Sequence, residues 1–273
     1  MKILIILLLG GLISCASTAA ERIISAGGSI TETIFALGKG NDVVATDSTS
    51  MFPLAAQQLP KLGYFRQLSI EGVLAQQPTH LIGANATGPA EMLQQLRAAG
   101  IQVDILGEDK SLKGLYQMIT QLGELISAQS EAEQLTQQIA NEIARLQAQR
   151  KAGTQKGLFI LSNGDRGLTV AGSDTVPQAL FDAAGIENAA ANLSQYKVMD
   201  NEAIALANPD FVVLAGHVFG DESATEKMCQ HPAIAATHAG RKCRVYSINS
   251  SIALGLSPRF PEALAQLLQM AGK

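Results

Sequence analysis

Residues 130–151 read SEAEQLTQQIANEIARLQAQRK, with no Gly or Pro anywhere in the run. Leu135, Ile139, Ile143 and Leu146 recur at the spacing of one helical face. At 1.5 Å per residue the run makes a helix of about 30 Å, with Ser130 and Glu133 in capping-box spacing at its start. Short apolar runs alternating with helical patterns lie on both sides of it. The rod therefore reads as a connector between two α/β halves.

Before the rod, RIISA, DVVAT, THLIGA and IQVDIL read as strands; after it come KGLFIL, GLTVAG, FVVLAG and CRVYSI. In the first half GGSITETIFALG follows the first strand, with Ser29 and Glu32 placed to open a helix and Gly38 to close it. A weak repeat links the halves. In EGVLAQQPTHLI, Glu71 precedes Pro78 by seven residues; in EAIALANPDFVV, Glu202 precedes Pro209 by the same interval, and an apolar strand follows each Pro. The expected fold class is α/β: two Rossmann-like lobes with mainly parallel sheets, joined by one long helix, with a ligand cleft between them. The expected boundaries are a leader at 1–20, a first lobe at 21–126, the connector at 127–153 and a second lobe at 154–273.

The 273 residues are 47% apolar and carry a net charge of −4. No basic run is present, which argues against nucleic acid as the partner. The Gly-rich loops contain neither G-x-G-x-x-G nor a Walker sequence. No G-x-S-x-G elbow supports a hydrolase. The first residues, MKILIILLLGGLISCASTAA, combine one Lys, an apolar run and a small-residue site, the layout of an export signal. Two processing routes compete: cleavage near Ala20, or lipid attachment at Cys15. Either predicts work outside the cytoplasm. Cys229 and Cys243, fourteen positions apart, are a candidate disulfide in such a compartment, with two separate thiols as the alternative.

The segment KLGYFRQLSIEGVLAQQP, residues 61–78, places Tyr64, Phe65 and Arg66 together in a chain with only 4% aromatics. The whole mature chain resembles the helical-backbone substrate-binding proteins of ABC importers. Within that class this segment resembles the periplasmic haem-binding proteins, the haemin-transport receptors. ERIISAGGSITETIFALG, TVAGSDTVPQALFDAAG and LGLSPRFPEAL agree with the same family.

The resemblance implies capture of ferric haem between the lobes, without enzymatic chemistry, and delivery to a permease with its ATPase for iron acquisition. An outer-membrane haem receptor is a possible further member of the system, and the expected state is a monomer. The resemblance places the iron ligand at Tyr64, and a phenolate is a hard anionic donor suited to Fe(III). Arg66 is its supporting cation, which in an extended segment would lie on the same side as the phenol. Some family members use a second-lobe His, and LSNGDRGLTVAG contains none; a single haem, five-coordinate through Tyr64, is expected. Phe65, Asn163, Arg166, His217 and Arg259 are further candidate contacts, with Arg259, Arg166 or Lys197 for the propionates and Phe219 as a second apolar wall. Of Tyr116, Tyr196 and Tyr246, read as structural or surface residues, Tyr196 is the candidate for a place near the cleft. Glu71 and Glu202 match the acidic residues that dock on the permease, although a Glu at a helix N-terminus also complements the dipole. The alternatives within this class are receptors for a corrinoid or a ferric siderophore. From another class comes a tetrapyrrole chelatase-like enzyme, against which the leader argues.

Overall fold

The computed structural model describes residues 21–107, 109–150, 153–164, 167–219 and 222–272. The expected leader and Cys15 lie outside this range, as does Arg166. Among the described residues no helix is long and apolar enough to cross a membrane.

Four strands build the first sheet: β1 (Ile23–Ala26), β2 (Val43–Thr46), β3 (His80–Ala84) and β4 (Gln102–Leu106). All pairs are parallel, in the order β2-β1-β3-β4. Central strands of a parallel sheet are covered on both faces, so they read as continuous apolar runs; β1 is buried along its whole length. The second sheet contains β5 (Lys156–Gly164), β6 (Gly167–Ala171), β7 (Glu187–Asn188), β8 (Tyr196–Met199), β9 (Phe211–Ala215) and β10 (Val245–Ile248). Its order is β10-β9-β5-β6-β8, with β7 on β5. It is a mixed sheet, because β6 runs antiparallel to both β5 and β8.

The connector is a helix over Gln129–Gln147, 19 residues long, so it starts one residue before Ser130 and stops short of Lys151. Ser130 does not cap it: Ala128 occupies that position, and no side chain accepts a bond there. A tight turn from the preceding helix, Leu112–Leu125, delivers the chain instead, with the Ala128 amide donating to the Gly123 carbonyl at 2.7 Å. Gly123 is required at this approach. A Cβ there would fall 2.5 Å from that of Ala132.

Ala132, Ile139, Ile143 and Leu146 form the buried face of the connector, each large side chain contributing about 1.5–3 kcal/mol on removal from water. They join one apolar core that runs through both halves, from Ile23, Ile30 and Ile34 to Ile252, Phe260 and Leu264. The connector is thus a packed spine rather than a free rod.

Both repeat units form the expected helix before a strand. Ile70–Leu74 and Asn201–Ala207 are capped by Ser69 and Asp200, whose side chains accept from the Gly72 and Ala203 amides at 3.0 and 2.8 Å. Each then reverses through a left-handed residue just before its Pro, Gln77 at φ 49° and Asn208 at φ 46°.

Candidate ligand-binding cleft

The opening of the first helix, Gly28–Ala36, departs from the expected capping box. Gly27, at φ 106°, precedes it, and Ser29 and Glu32 lie inside. Its N-terminus is satisfied by tertiary partners: the Gly27 amide donates to Asp47 Oδ1 at 2.9 Å and the Gly28 amide to Thr49 Oγ1 at 3.1 Å. With no capping bond to make, Glu32 is free for another task. The other end closes as expected, with Gly38 at φ 76° and the Lys39 amide donating to the Ile34 carbonyl at 3.1 Å.

Tyr64 sits beside the carboxyl end of β2. Thr46 pairs with Lys61, and the Ser48 amide donates to the Gly63 carbonyl at 2.7 Å. Ligand sites of open α/β sheets collect at this edge. Tyr64 is 42% exposed, the Phe65 ring meets its ring edge-on at 4.8 Å between centroids, and Phe65 itself is partly packed on the first lobe's core. Phe65–Gln67 is a 3-10 turn, so the expectation of an extended segment fails here. Arg66 instead folds back over the rings, its Cζ 6.0 Å from the Tyr64 centroid and 5.4 Å from that of Phe65. The cation still accompanies the phenol, through a ring-face contact.

Besides the shared core, charged side chains act between the halves. Burial pushes the Tyr196 phenol, at the start of β8, up to about 12, while the Arg66 charge pulls it down. The pair Glu32–Arg259 is a direct bond between the halves. The Arg259 Nε donates to Glu32 Oε2 at 3.0 Å and Nη2 to Oε1 at 2.6 Å, a bidentate fork. Arg259 Nη2 also donates to Ser251 Oγ at 3.1 Å, and Nη1 lies 3.7 Å from Glu262. Burial works against the Arg259 charge, but the Glu32 bond and charge outweigh it, and the net shift is upward. This candidate for a propionate partner is therefore already committed to a carboxylate.

His217 follows β9 and is exposed, its Nδ1 paired with Ser250 Oγ. Asn163 is exposed near the carboxyl end of β5. The side chain of Phe219 is outside the described part, and Lys197 is exposed on β8. Glu71 and Glu202 are both exposed in the first turns of their helices. Cys229 and Cys243 are disulfide-bonded, with Cα atoms 5.2 Å apart. Among the described residues no three His, Cys, Asp or Glu gather to hold a bare metal ion. Two surface hollows lie elsewhere: one of about 440 Å³ along Lys113–Glu124, and one of about 290 Å³ around Arg150 and Leu268. Neither is lined by Tyr64, Arg66 or Arg259.

Sequence reasoning missed Met51 and Phe52, 53% and 45% exposed on the loop after β2, and it missed the role of Glu32. The available signals were an apolar pair inside the polar stretch DSTSMFP and a lone carboxylate within an apolar helix.

The two-lobed α/β fold agrees with the comparisons. The periplasmic binding protein family model matches residues 23–252. The chain belongs to that family. Its fold superimposes on the periplasmic heme-binding protein HutB of Vibrio cholerae with a TM-score of 0.85 and 34% identity, over 93% of this chain and all of that one. It is 26% identical to YvrC, an ABC transporter substrate-binding lipoprotein of Bacillus subtilis, over 91% of this chain and 79% of the relative. It is 24% identical to the vitamin B12-binding protein of Vibrio parahaemolyticus, over 94% and 91%. The family is one of transport receptors and not of enzymes.

Proposed function

We propose that this periplasmic binding protein captures ferric haem between its lobes through the Tyr64 oxygen and delivers it to an ABC importer. The observation that carries the reading is Tyr64 itself: an exposed tyrosine at the carboxyl edge of the first sheet, with a guanidinium over its ring. On binding Fe(III) a tyrosine oxygen gives up its proton and becomes a hard anionic donor, a role in which proteins use Tyr as an axial haem ligand. Arg66 adds positive charge where the phenolate and the haem carboxylates bring negative charge. The likeness to HutB, a heme-binding protein, supports the same ligand. Export through the leader, with cleavage near Ala20 or a lipid on Cys15, belongs to this reading, and the lipoprotein YvrC is a precedent for the second route.

For delivery, Glu71 and Glu202 present one carboxylate on each lobe at equivalent positions of the repeat. Exposed charges of this kind steer the encounter with a basic permease surface and fix its orientation. A corrinoid is the second reading, favoured by the vitamin B12-binding relative.

The test is an absorption titration of the mature protein with ferric haem, in wild type and in Tyr64→Phe, which removes only the hydroxyl. A one-to-one, high-spin phenolate spectrum in wild type and its loss in the variant are expected. No saturable haem uptake by wild type, together with tight binding of cyanocobalamin, would transfer the assignment to the corrinoid.

A further inference from the structure

Met51 and Phe52 stay exposed on a loop that is otherwise tied down. Asp47, 1% exposed, accepts from the Gly27 amide at 2.9 Å, from the Thr49 amide and hydroxyl at 2.8 and 2.6 Å, and from the Ser50 hydroxyl at 2.6 Å. Lys61 Nζ donates to Thr46 Oγ1, the Ser50 carbonyl and the Ala56 carbonyl at 2.7, 2.7 and 2.9 Å. These bonds clamp both ends of the Met51–Phe52 segment to the strand that leads to Tyr64. A fixed mount that holds apolar side chains in water has forgone the burial available to them, which marks a surface kept for a ligand.

The Phe52 ring has a partner from the other lobe. Arg259 Cζ lies 4.2 Å from its centroid, and the guanidinium plane is itself fixed by the buried Glu32 fork. The chain thus spans both lobes: Glu32 on the first holds Arg259 on the second, and Arg259 holds a ring back on the first. Phe52 is 45% exposed, and Lys61, three residues before Tyr64, holds its loop through the Ser50 carbonyl, so the residue offers a mounted apolar area on the same side of the lobe as Tyr64. A preorganised contact of this kind loses little freedom when a ligand arrives.

We propose that Phe52 is a stacking wall for a planar tetrapyrrole, and that Glu32 acts as its positioning residue through Arg259. The proposal rests on the ligand reading above and adds a contact for the flat face of the macrocycle. Arg259 then serves the macrocycle through the ring it supports.

The test uses two probes on the mature protein: ferric haem, read by absorption, and metal-free protoporphyrin, read by fluorescence quenching. Phe52→Ala is expected to weaken both about tenfold, the scale of one aromatic contact, while the haem complex keeps its phenolate spectrum; Phe52→Trp restores binding. Tyr64→Phe is expected to weaken haem far more than protoporphyrin. Glu32→Gln is expected to weaken both probes in wild type and to have no further effect in the Phe52→Ala background, as an effect transmitted through the ring requires. Unchanged affinity for both probes in Phe52→Ala overturns the wall, and a Glu32→Gln effect that persists without the ring overturns the positioning role. If wild type binds neither probe, the ligand reading falls and this proposal falls with it.

Discussion

Glu32→Gln is the sharpest probe of the cross-lobe pair. The Glu32 side chain is 5% exposed and that of Arg259 18%, so the substitution leaves a mostly buried guanidinium without its anion. Removing one partner of a buried pair costs about 3–5 kcal/mol. The low end applies here, because Arg259 keeps Ser251 at 3.1 Å and Glu262 at 3.7 Å, and the new amide still accepts one bond. We expect a loss of about 3 kcal/mol by urea denaturation, which for a chain of this size lowers the melting temperature by about 6–12 °C. The double variant Glu32→Leu, Arg259→Met removes both charges and should recover much of the loss, since apolar replacement of a buried pair is often neutral. A single-variant loss under about 1 kcal/mol is the surface-pair value. That result, or a double variant no better than the single, would refute the reasoning that this pair is desolvated and joins the lobes.

Reduction of Cys229–Cys243, or replacement of both by Ser, is expected to cost about 3 kcal/mol on the chain-entropy argument, with the haem spectrum unchanged; an altered spectrum would tie that bond to the site. For Tyr196 the folded phenol ionises near 12 against an ordinary 10, so between those pH values the unfolded chain releases a proton that the folded chain retains. Stability from this group therefore falls as pH rises through that window. The loss should be smaller in Tyr196→Phe, with burial of Tyr116 supplying a remainder of the same sign, and an equal alkaline loss in both proteins would contradict the assignment. The apolar core shared by both halves predicts that haem leaves the overall dimensions nearly unchanged in solution scattering, and wide closure would contradict a continuous core. Charge reversal at Glu71 and Glu202 should reduce permease-coupled ATPase stimulation without altering haem uptake; unaltered stimulation would remove these residues from the docking face.

The strands that were legible in the sequence are those buried on both faces. FVVLA in β9 and IISA in β1 are continuous apolar runs because water reaches neither side. The strands that were not legible, β7 and β8, have no such run. β7 is two residues long, and β8 lies at the sheet edge with Lys197 and Val198 exposed, so neither periodicity nor composition marks it. The helix termini show the same division. Ser69 and Asp200 cap by bonds that close within three residues, but the first helix takes its cap from Asp47 and Thr49, about twenty positions away. A local spacing rule cannot represent that cap, and so it assigned Glu32 a task that Asp47 and Thr49 perform.

Arg66 and Arg259 carry this division into the site. Arg66 is legible from its neighbours, and the fold keeps it with Tyr64 and Phe65, although through a turn and not an extended strand. Its partners are adjacent in sequence, so an error in backbone shape did not separate them. The main partner of Arg259 is 227 residues away. Read locally, LSPRFP offers a free cation for an anionic group; in the fold that cation is taken by Glu32 and lies 4.2 Å from the centre of the Phe52 ring. A charged side chain in a two-lobed receptor can therefore be read from sequence only when its counter-charge is local. When the counter-charge lies on the other lobe, the residue that looks ready for the ligand's carboxylates instead becomes part of the frame that holds the apolar wall in place.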